Sequence, residues 1–536
     1  MDFKNIGKEY RPIPFWSWNE KLNTDETARQ IGIMDRAGLG GYFMHARGGL
    51  QTPYMGEEWF ENISVGIEEG RKRGMQAWAY DENGWPSGFG SGSVNGRGLD
   101  YQQKYLRCES GDKTNDRTIV TKDGYHFYYD VNPYYVDTLD QKVTHCFIED
   151  IYEPYYKRYG NTFCGFFTDE PQISRNGIPW SFILPEEYKK EYGDELLDKL
   201  LELFRPVGDY EVTRVRFWRL VTKLFSENFV KPLYDWCTER GLGFTGHLVC
   251  EETLESQLTC NGACMPHYEY FTMPGMDWLG RDITECLTPL AVSSVAHQTG
   301  KKEILSETYA LCGHNTGFDE LKSIAQWQMV NGITKLCQHL EGYSLRGLRK
   351  RDYPPAMYCQ QPWWEEYSVF NDSMSRIGML LSEGEVHFDT LLLHNQSTAW
   401  ALYDSSPDCK AEIMEYNNAL LSAYRTLQQK HVLFHFGDEI ILERHGRVEG
   451  NTLVIGTQRY TRIVIPPHKL LLQSTEKLLE QFTAAGGIVT TADKVEDAGV
   501  CSSPMITYTK REFDGFNILY FINNNNEAVT ASFDRG

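Results

Sequence analysis

Residues 163–170 read FCGFFTDE, an apolar run that ends in Asp169 and Glu170 and is followed by Pro171. Its three phenylalanines indicate a strand buried in a core. Two adjacent carboxylates are costly beside a core unless something there uses them. The stretch therefore predicts a buried strand that ends at a functional site.

The same pattern, a short apolar run followed by a longer helical pattern, repeats along the chain from residue 13 to about residue 350. The eight runs are 13–19, 41–47, 76–82, 163–170, 242–249, 275–280, 301–310 and 335–344. Eight strand–helix units in tandem predict an α/β protein with a (β/α)8 TIM barrel rather than an open doubly wound sheet.

The domain organisation follows from where this pattern stops. We expect residues 1–385 to form the barrel, with an insertion at about 95–160 whose segment RTIVTKDGYHFYYD predicts a hairpin turning at Lys122–Gly124. Residues 386–500 predict a small α/β domain with a parallel sheet, similar to amidotransferase-like and flavodoxin-like domains. Residues 501–536 predict a β-hairpin around an asparagine turn, which could be the start of a β-sandwich.

Composition restricts the function. The chain has 536 residues and a net charge of −21, from 74 acidic and 53 basic residues. This balance argues against nucleic acid or an anionic membrane as partner and favours a small-molecule substrate. No secretory signal and no membrane span are recognisable, and the 13 cysteines are scattered, so we expect a cytoplasmic enzyme. The sequence leaves its oligomeric state open.

Polar side chains are found at the C-terminal end of every predicted strand, where barrel enzymes place their chemistry. The candidate binding residues at these ends are Trp18, Asn19, His45, Arg47, Asp81, Glu82, Asp169, His247, Asp277, His339 and Glu341, with Trp85, Trp278 and Tyr309 as neighbouring aromatics. Aromatic platforms with carboxylate, amide and imidazole partners suit the apolar faces and hydroxyl edges of sugars.

Glycosidic bonds are usually cleaved by two carboxyl groups, one protonated and one charged. Glu170 ends the fourth predicted strand and Glu307 the seventh, so the two should lie on opposite sides of the barrel mouth. We expect them to be the catalytic pair.

Structural roles remain as alternatives. Glu170 could cap a following helix, and Glu307 could pair with His45 or Arg47. Asp81 and Glu82 could be structural or hold a cation, and His247 and His339 could be hydrogen-bonded core residues. The first strand has no His-x-His for a metal amidohydrolase, and PSGFGSGSVNG matches no dinucleotide-binding loop or nucleophile elbow.

Five motifs support a family resemblance. PFWSWN, GGYFMHARGGLQTPYMGEEWF, AYDENGWPSGFGSG, GFFTDEP and LSETYA, in this order, resemble glycoside hydrolase family 106, the α-L-rhamnosidases, and related bacterial glycosyl hydrolases, over roughly residues 11–350. The resemblance implies inverting hydrolysis of a terminal rhamnoside, with Glu170 in TDEP as acid and Glu307 in SETY as base. It implies no cofactor for the chemistry and a calcium ion near the sugar, whose ligands do not map onto positions of this sequence.

The sequence is therefore consistent with three candidate functions. The first is an exo-acting, inverting α-L-rhamnosidase that acts on small glycosides or oligosaccharides. The second is a retaining β-galactosidase-like enzyme in which Glu307 is the nucleophile, since only the separation of the carboxyl groups distinguishes the two mechanisms. The third is a carbohydrate-binding barrel without catalysis.

Overall fold

The computed structural model describes residues 3–175 and 177–534 and contains a closed parallel barrel. We number its strands β1 to β8. They are Phe15–Trp18, Gly41–Ala46, Gln76–Asn83, Gly165–Asp169, Gly243–His247, Met273–Trp278, Leu305–Thr308 and Lys335–Gln338, and β8 resumes at Glu341–Gly342. Each strand pairs in parallel with the next, and the second segment of β8 pairs with β1. The predicted (β/α)8 barrel is confirmed.

The barrel interior is filled by one apolar cluster. Its members come from alternate strand positions, as the two-residue period of a strand requires. Phe15 lies at the centre, with ring centroids 5.8 Å from Phe43 and 4.7 Å from Phe167. Leu305 and Leu340 belong to the same cluster. The interior below the mouth is thus a packed core, and only the C-terminal ends of the strands leave room for a ligand.

Helices surround the barrel. They are Thr24–Arg36, Glu57–Arg73, Gln141–Phe147, Glu153–Tyr159, Leu184–Tyr192, Leu200–Phe204, Tyr210–Phe225, Lys231–Thr238, Leu254–Asn261, Met265–Tyr268, Thr288–Gln298, Phe318–Val330 and Tyr367–Ser382. The π-helical turns are Ile148–Tyr152 and Ser226–Val230. The short 3-10 turns are Lys8–Tyr10, Gly90–Gly92, Asn95–Arg97, Leu99–Tyr101, Leu196–Asp198, Gly347–Arg351, Trp364–Glu366 and, later in the chain, Ala492–Lys494.

An antiparallel sheet lies between β3 and β4 in the chain. Its strands are Gln102–Ser110, Thr118–Lys122 and Tyr125–Val136, and the later segment Pro179–Trp180 joins its edge. Because Pro179–Trp180 follows Glu170 by only nine residues, this sheet is tied to the loop that leaves the candidate site.

A second parallel sheet follows the barrel. Its strand order is Phe434–Asp438, Thr390–His394, Arg462–Val464 and Ile488–Thr490, which corresponds to 2-1-3-4 along the chain. The helices of this region are Gln396–Leu402, Pro407–Gln429, Glu439–His445 and Gln473–Ala484. Three antiparallel strands, Gly446–Glu449, Thr452–Ile455 and Gln458–Tyr460, pack beside it. This doubly wound order is flavodoxin-like, as the fold prediction states.

The C-terminal hairpin pairs Thr507–Phe513 with Phe516–Ile522. Its turn lies at Asp514–Gly515, so the predicted asparagine turn is wrong. Gly515 has a φ of 81°, and Asp-Gly favours the tight two-residue turns that close hairpins, whereas the asparagines 523–526 follow the second strand. Among the described residues, no helix is long and apolar enough to span a membrane.

Candidate active site

A cavity of about 290 Å³ opens at the C-terminal ends of the barrel strands. The predicted site residues that line it are Arg47, Trp85, Asp169, Glu170, His247, Asp277, Glu307 and His339. The structure thus brings together residues from seven different barrel strands or the loops that follow them. Both candidate catalytic glutamates are among them.

Glu170 lies directly after β4, in a left-handed backbone conformation with a φ of 48°. The indole Nε1 of Trp85 donates a 2.7 Å hydrogen bond to its Oε2, and Nη2 of Arg175 lies 3.4 Å from the same oxygen. Burial raises the pKa of Glu170 to about 8, opposed by the nearby charge on His247. This raised pKa favours the protonated form of the carboxyl group at neutral pH. No helix begins at Pro171, which rules out the helix-cap alternative.

Glu307, on β7, faces two histidines. Its Oε2 lies 2.7 Å from Nε2 of His247, and its Oε1 lies 4.0 Å from Nε2 of His339. Burial raises the pKa of Glu307, and the hydrogen bond with His247 opposes that rise. Arg47 pairs with Asp352 and Glu307 with His247, so the alternative in which Glu307 pairs with Arg47 or His45 is not observed.

His247 connects Glu307 to Asp169. Its Nε2 lies 3.5 Å from Oδ1 of Asp169, whose other oxygen accepts a 2.5 Å hydrogen bond from Tyr80. Burial disfavours the imidazolium, but the bond to Glu307 and the charges of Asp169 and Asp277 outweigh it and raise the pKa of His247 well above its usual value. His247 is therefore a cation held between two carboxylates.

Asp277 and Glu251 form the next wall of the cavity. Glu251 accepts hydrogen bonds from the backbone N–H of Leu248 and Asp277 and, at 2.6 Å, from the hydroxyl of Tyr268. Burial raises the pKa of Glu251 to about 7. Burial and the charge of Glu307 raise the pKa of Asp277 well above its usual value. Oδ1 of Asp277 is buried and has no hydrogen-bond partner among the described residues.

The loop after β8 covers one side of the mouth. Nε and Nη2 of Arg47 donate to the two oxygens of Asp352 at 2.9 and 3.0 Å. The neighbouring Tyr353 has a φ of 43° and lines the cavity, as does His339, whose ring lies 6.1 Å away. Arg47 therefore anchors this loop and also lines the cavity, and its predicted contact with a sugar hydroxyl stays a prediction.

Several predicted residues point away from the cavity. Trp18 packs between Trp16 and Trp59, with ring centroids 5.2 and 5.0 Å apart, and Trp278 packs on Trp327 at 4.5 Å. These two tryptophans belong to the layer between strands and helices. Their predicted role in sugar binding is wrong, because successive residues of a strand point to opposite faces.

Polar residues at two strand ends have structural partners instead. Asn19 donates to the carbonyl of Ser344 at 3.0 Å and accepts from its N–H at 2.9 Å. Asp81 accepts from Ser87 and Tyr152 at 2.5 and 2.7 Å. These contacts join neighbouring loops and a helix, so the prediction that Asn19 and Asp81 bind sugar is wrong.

Glu82 organises the loop that carries Trp85. Its carboxylate accepts from the backbone N–H of Gly90 at 2.7 Å and of Ser91 at 2.5 Å. Burial raises the pKa of Glu82 to about 8. Glu82 therefore acts on the site through the loop rather than by touching a ligand, and its predicted contact with the sugar is wrong.

His45, Tyr309 and Glu341 are buried but do not line the cavity, contrary to the prediction. The ring of His45 stacks on Tyr80, with centroids 3.5 Å apart. Glu341 lies in the second segment of β8, opposite Trp16. Burial raises the pKa of Glu341 well above its usual value.

The sequence did not identify several lining residues, among them Arg175, Cys250, Glu251, Glu252 and Tyr353. Glu251 could have been found, because it follows His247 by four residues in the loop after β5. Arg175 and Tyr353 lie in irregular loops that no periodicity describes.

Asp169, His247 and Glu307 offer ligand atoms within 4.8 Å of one another. Calcium, which the family resemblance implies, prefers six to eight oxygen ligands. Here an imidazole lies between the carboxylates, and its raised pKa makes it a cation that competes with any metal. This group of residues does not fit a calcium site.

Comparisons with known proteins found solved structures of similar fold. No protein-family model matches the chain, and no curated protein matches it. Among solved structures, a rhamnosidase from Novosphingobium sp. PP1Y is similar with a TM-score of 0.71 and 12% identity, covering 97% of this chain and 77% of that one.

Two β-galactosidases are also similar. The enzyme of the haloarchaeon Halorubrum lacusprofundi has a TM-score of 0.58 and 15% identity, covering 91% of this chain and 74% of that one. The enzyme of Bacillus circulans sp. alkalophilus has a TM-score of 0.55 and 11% identity, covering 94% and 76%. At these identities the likeness concerns the fold alone, a barrel shared by glycoside hydrolases, and does not single out family 106.

Proposed function

We propose that this protein is an exo-acting glycoside hydrolase in which Glu170 is the general acid and Glu307 acts opposite it. One observation carries the proposal: both glutamates line a single cavity but in different electrostatic environments. Glu170 has a pKa raised to about 8 by burial, whereas Glu307 is bonded to the imidazolium of His247. Pairs of carboxyl groups separated in this way are the signature of glycosidase chemistry.

Glu170 would donate its proton to the departing oxygen. The indole N–H of Trp85 occupies one carboxyl oxygen, Oε2, which leaves the other to carry the proton. As the bond breaks, Glu170 becomes an anion, which the neighbouring guanidinium of Arg175 stabilises.

Glu307 would stay ionised, because His247 donates a hydrogen bond to it. It can then either remove a proton from an attacking water or attack the anomeric carbon itself. Asp169 balances the charge of His247 and fixes the orientation of its ring.

The size of the cavity supports release of a terminal sugar. At about 290 Å³ it lies at the lower end of small-molecule sites, which span roughly 300–1,000 Å³. Such a cavity suits one sugar ring better than an extended polysaccharide.

For the sugar we propose an α-L-rhamnoside and an inverting mechanism. The motif blocks resemble rhamnosidases, and the rhamnosidase from Novosphingobium sp. PP1Y has a similar fold over 97% of this chain. A retaining β-galactosidase is the second candidate, supported by the β-galactosidases of similar fold. Proton NMR of the first-formed anomer separates them: inversion supports our proposal, and retention makes Glu307 the nucleophile.

A panel of aryl glycosides tests the activity itself. We expect the wild-type protein to hydrolyse the aryl α-L-rhamnoside, and both Glu170→Gln and Glu307→Gln to lose at least about 100-fold in kcat/KM. Glu480→Gln, an exposed glutamate far along the chain, serves as control. Unchanged turnover in either active-site variant would refute its assigned role. Sugar binding without hydrolysis of any glycoside would favour the carbohydrate-binding barrel.

A further inference from the structure

Arg175 lies beside the proposed acid. Its guanidinium carbon is 4.6 Å from the ring centre of Trp85, and its Nη2 is 3.4 Å from Oε2 of Glu170. The side chain is 40% exposed and lines the cavity. A general acid contacts the oxygen of the leaving group, so the departing group lies on this side of the cavity, next to Arg175 and Trp85.

Some N–H donors of the Arg175 guanidinium have no hydrogen-bond partner among the described residues. Of its five N–H donors, Nε donates to Gln172, and one Nη2–H points to Glu170. In the described part of the chain this guanidinium has no other hydrogen bond, so three of its N–H donors are without a partner there, and the side chain lines the cavity. A planar guanidinium with free donors matches the two oxygens of a carboxylate or a sulfate.

Arg175 differs in charge and in hydrogen bonding from the other charged residues that line the cavity. Arg47, the second arginine in the lining, is held by both oxygens of Asp352. The remaining charged groups near the reacting centre are mostly carboxyls, and the whole chain carries a net charge of −21. An anionic ligand would be repelled from most of this surface and attracted at Arg175.

We propose that Arg175 and Trp85 form a leaving-group subsite that recognises an acidic sugar, one that bears a carboxylate or a sulfate ester. The indole, 43% exposed, offers apolar surface to the sugar ring, and Arg175 binds the acidic substituent. The term leaving-group subsite rests on the proposed function, but the preference for an acidic sugar can be measured without catalysis.

The test is calorimetric titration with three hexoses that differ only at C6: D-galactose, D-galacturonate and D-galactose 6-sulfate. We expect at least one of the acidic hexoses to bind wild-type protein about 10-fold more tightly than galactose. Arg175→Gln should abolish this preference. Arg459→Gln, which removes an equally positive but remote and exposed side chain, should keep it. Added salt should reduce the preference, because the site is partly exposed.

Preference for one acid over the other supports the proposal and identifies the substituent. Equal affinity for galactose and both acids would overturn it, and so would a preference that survives in Arg175→Gln. Absence of binding of either acid at about 100 mM would also overturn it. If the preference depends on Arg175 but the wild-type protein hydrolyses no glycoside, the subsite stands and the proposed hydrolase function fails.

Discussion

At the scale of single residues, His247 is what makes the two glutamates different. Its Nε2 lies 2.7 Å from Oε2 of Glu307 and is hydrogen-bonded to it. Its charge also acts on Glu170, but the direct partners of that carboxyl are Trp85 and Arg175. Both carboxyls are buried, which raises the pKa of each, and the hydrogen bond from His247 opposes that rise most directly at Glu307. In the proposed mechanism, the division into an acid and a base or nucleophile thus depends on His247.

Replacing His247 should shift the acidic limb of the pH–rate profile. In the proposed mechanism Glu307 acts in its ionised form, which the imidazolium of His247 favours against the effect of burial. In His247→Gln the charge is lost and the pKa of Glu307 rises. Activity should therefore appear only at a higher pH, by about one unit. The measurement is kcat/KM against pH.

The control for this prediction is His468→Gln, an exposed histidine of the C-terminal half, whose profile should match the wild type. An acidic limb that stays in place in His247→Gln would show that His247 does not set the ionisation of Glu307.

At the scale of elements, strands were predictable and loops were not. Each of the eight predicted runs overlaps a barrel strand, because a parallel strand buried on both faces is mostly apolar. It was harder to predict which residues at the ends of the strands line the cavity, because a side chain there can face inward or outward. Asp277 lines the cavity while the next residue, Trp278, packs outside.

The two-residue period of a strand did not predict which side chains of the irregular eighth strand face the cavity. His339 lines the cavity and Glu341 does not, although they are two residues apart and a regular strand would place both on one face. The strand stops at Gln338 and resumes at Glu341, where its partner changes from β7 to β1. Such a break leaves no sign in the residue pattern.

The loop after β8 should depend on the pair Arg47–Asp352. Asp352→Asn removes the charge that holds both guanidinium nitrogens, so Tyr353 loses its fixed position at the cavity. We expect KM to rise about 10-fold with a smaller change in kcat, because the loop shapes binding and does not take part in proton transfer. Steady-state kinetics measures the changes in KM and kcat separately.

Asp372→Asn is the matched control, since Asp372 pairs with Arg11 at 2.8 Å in a region outside the cavity. It should leave KM unchanged. If Asp352→Asn also leaves KM unchanged, the pair does not position the loop for substrate.

At the scale of the whole molecule, the barrel and the second parallel sheet have different tasks. All the residues that line the cavity lie between Arg47 and Tyr353, so the later part of the chain contributes none of them. It contacts the barrel through buried groups such as Trp400, whose Nε1 donates to the carbonyl of Gly262 at 2.7 Å. These buried contacts predict a contribution to stability.

Truncating Trp400 should separate stability from activity. Trp400→Ala removes a fully buried side chain and its hydrogen bond, which costs about 3–5 kcal/mol. We expect a lower midpoint of thermal unfolding and a kcat/KM at 25 °C within about twofold of the wild type. Val369→Ala, at a position that is 64% exposed, should change neither. A large loss of activity in folded Trp400→Ala protein would mean that the second sheet shapes the site.

The dependence of the rate on the leaving group tests the central claim most directly. Once the sugar is known, kcat/KM is measured for its dinitrophenyl and methyl glycosides in wild type, Glu170→Gln and Glu307→Gln. A dinitrophenolate departs without a proton, so Glu170→Gln should lose about 100-fold or more on the methyl glycoside and less than about 10-fold on the other. Glu307→Gln should lose activity on both. Equal losses on both substrates in Glu170→Gln would contradict its role as the acid.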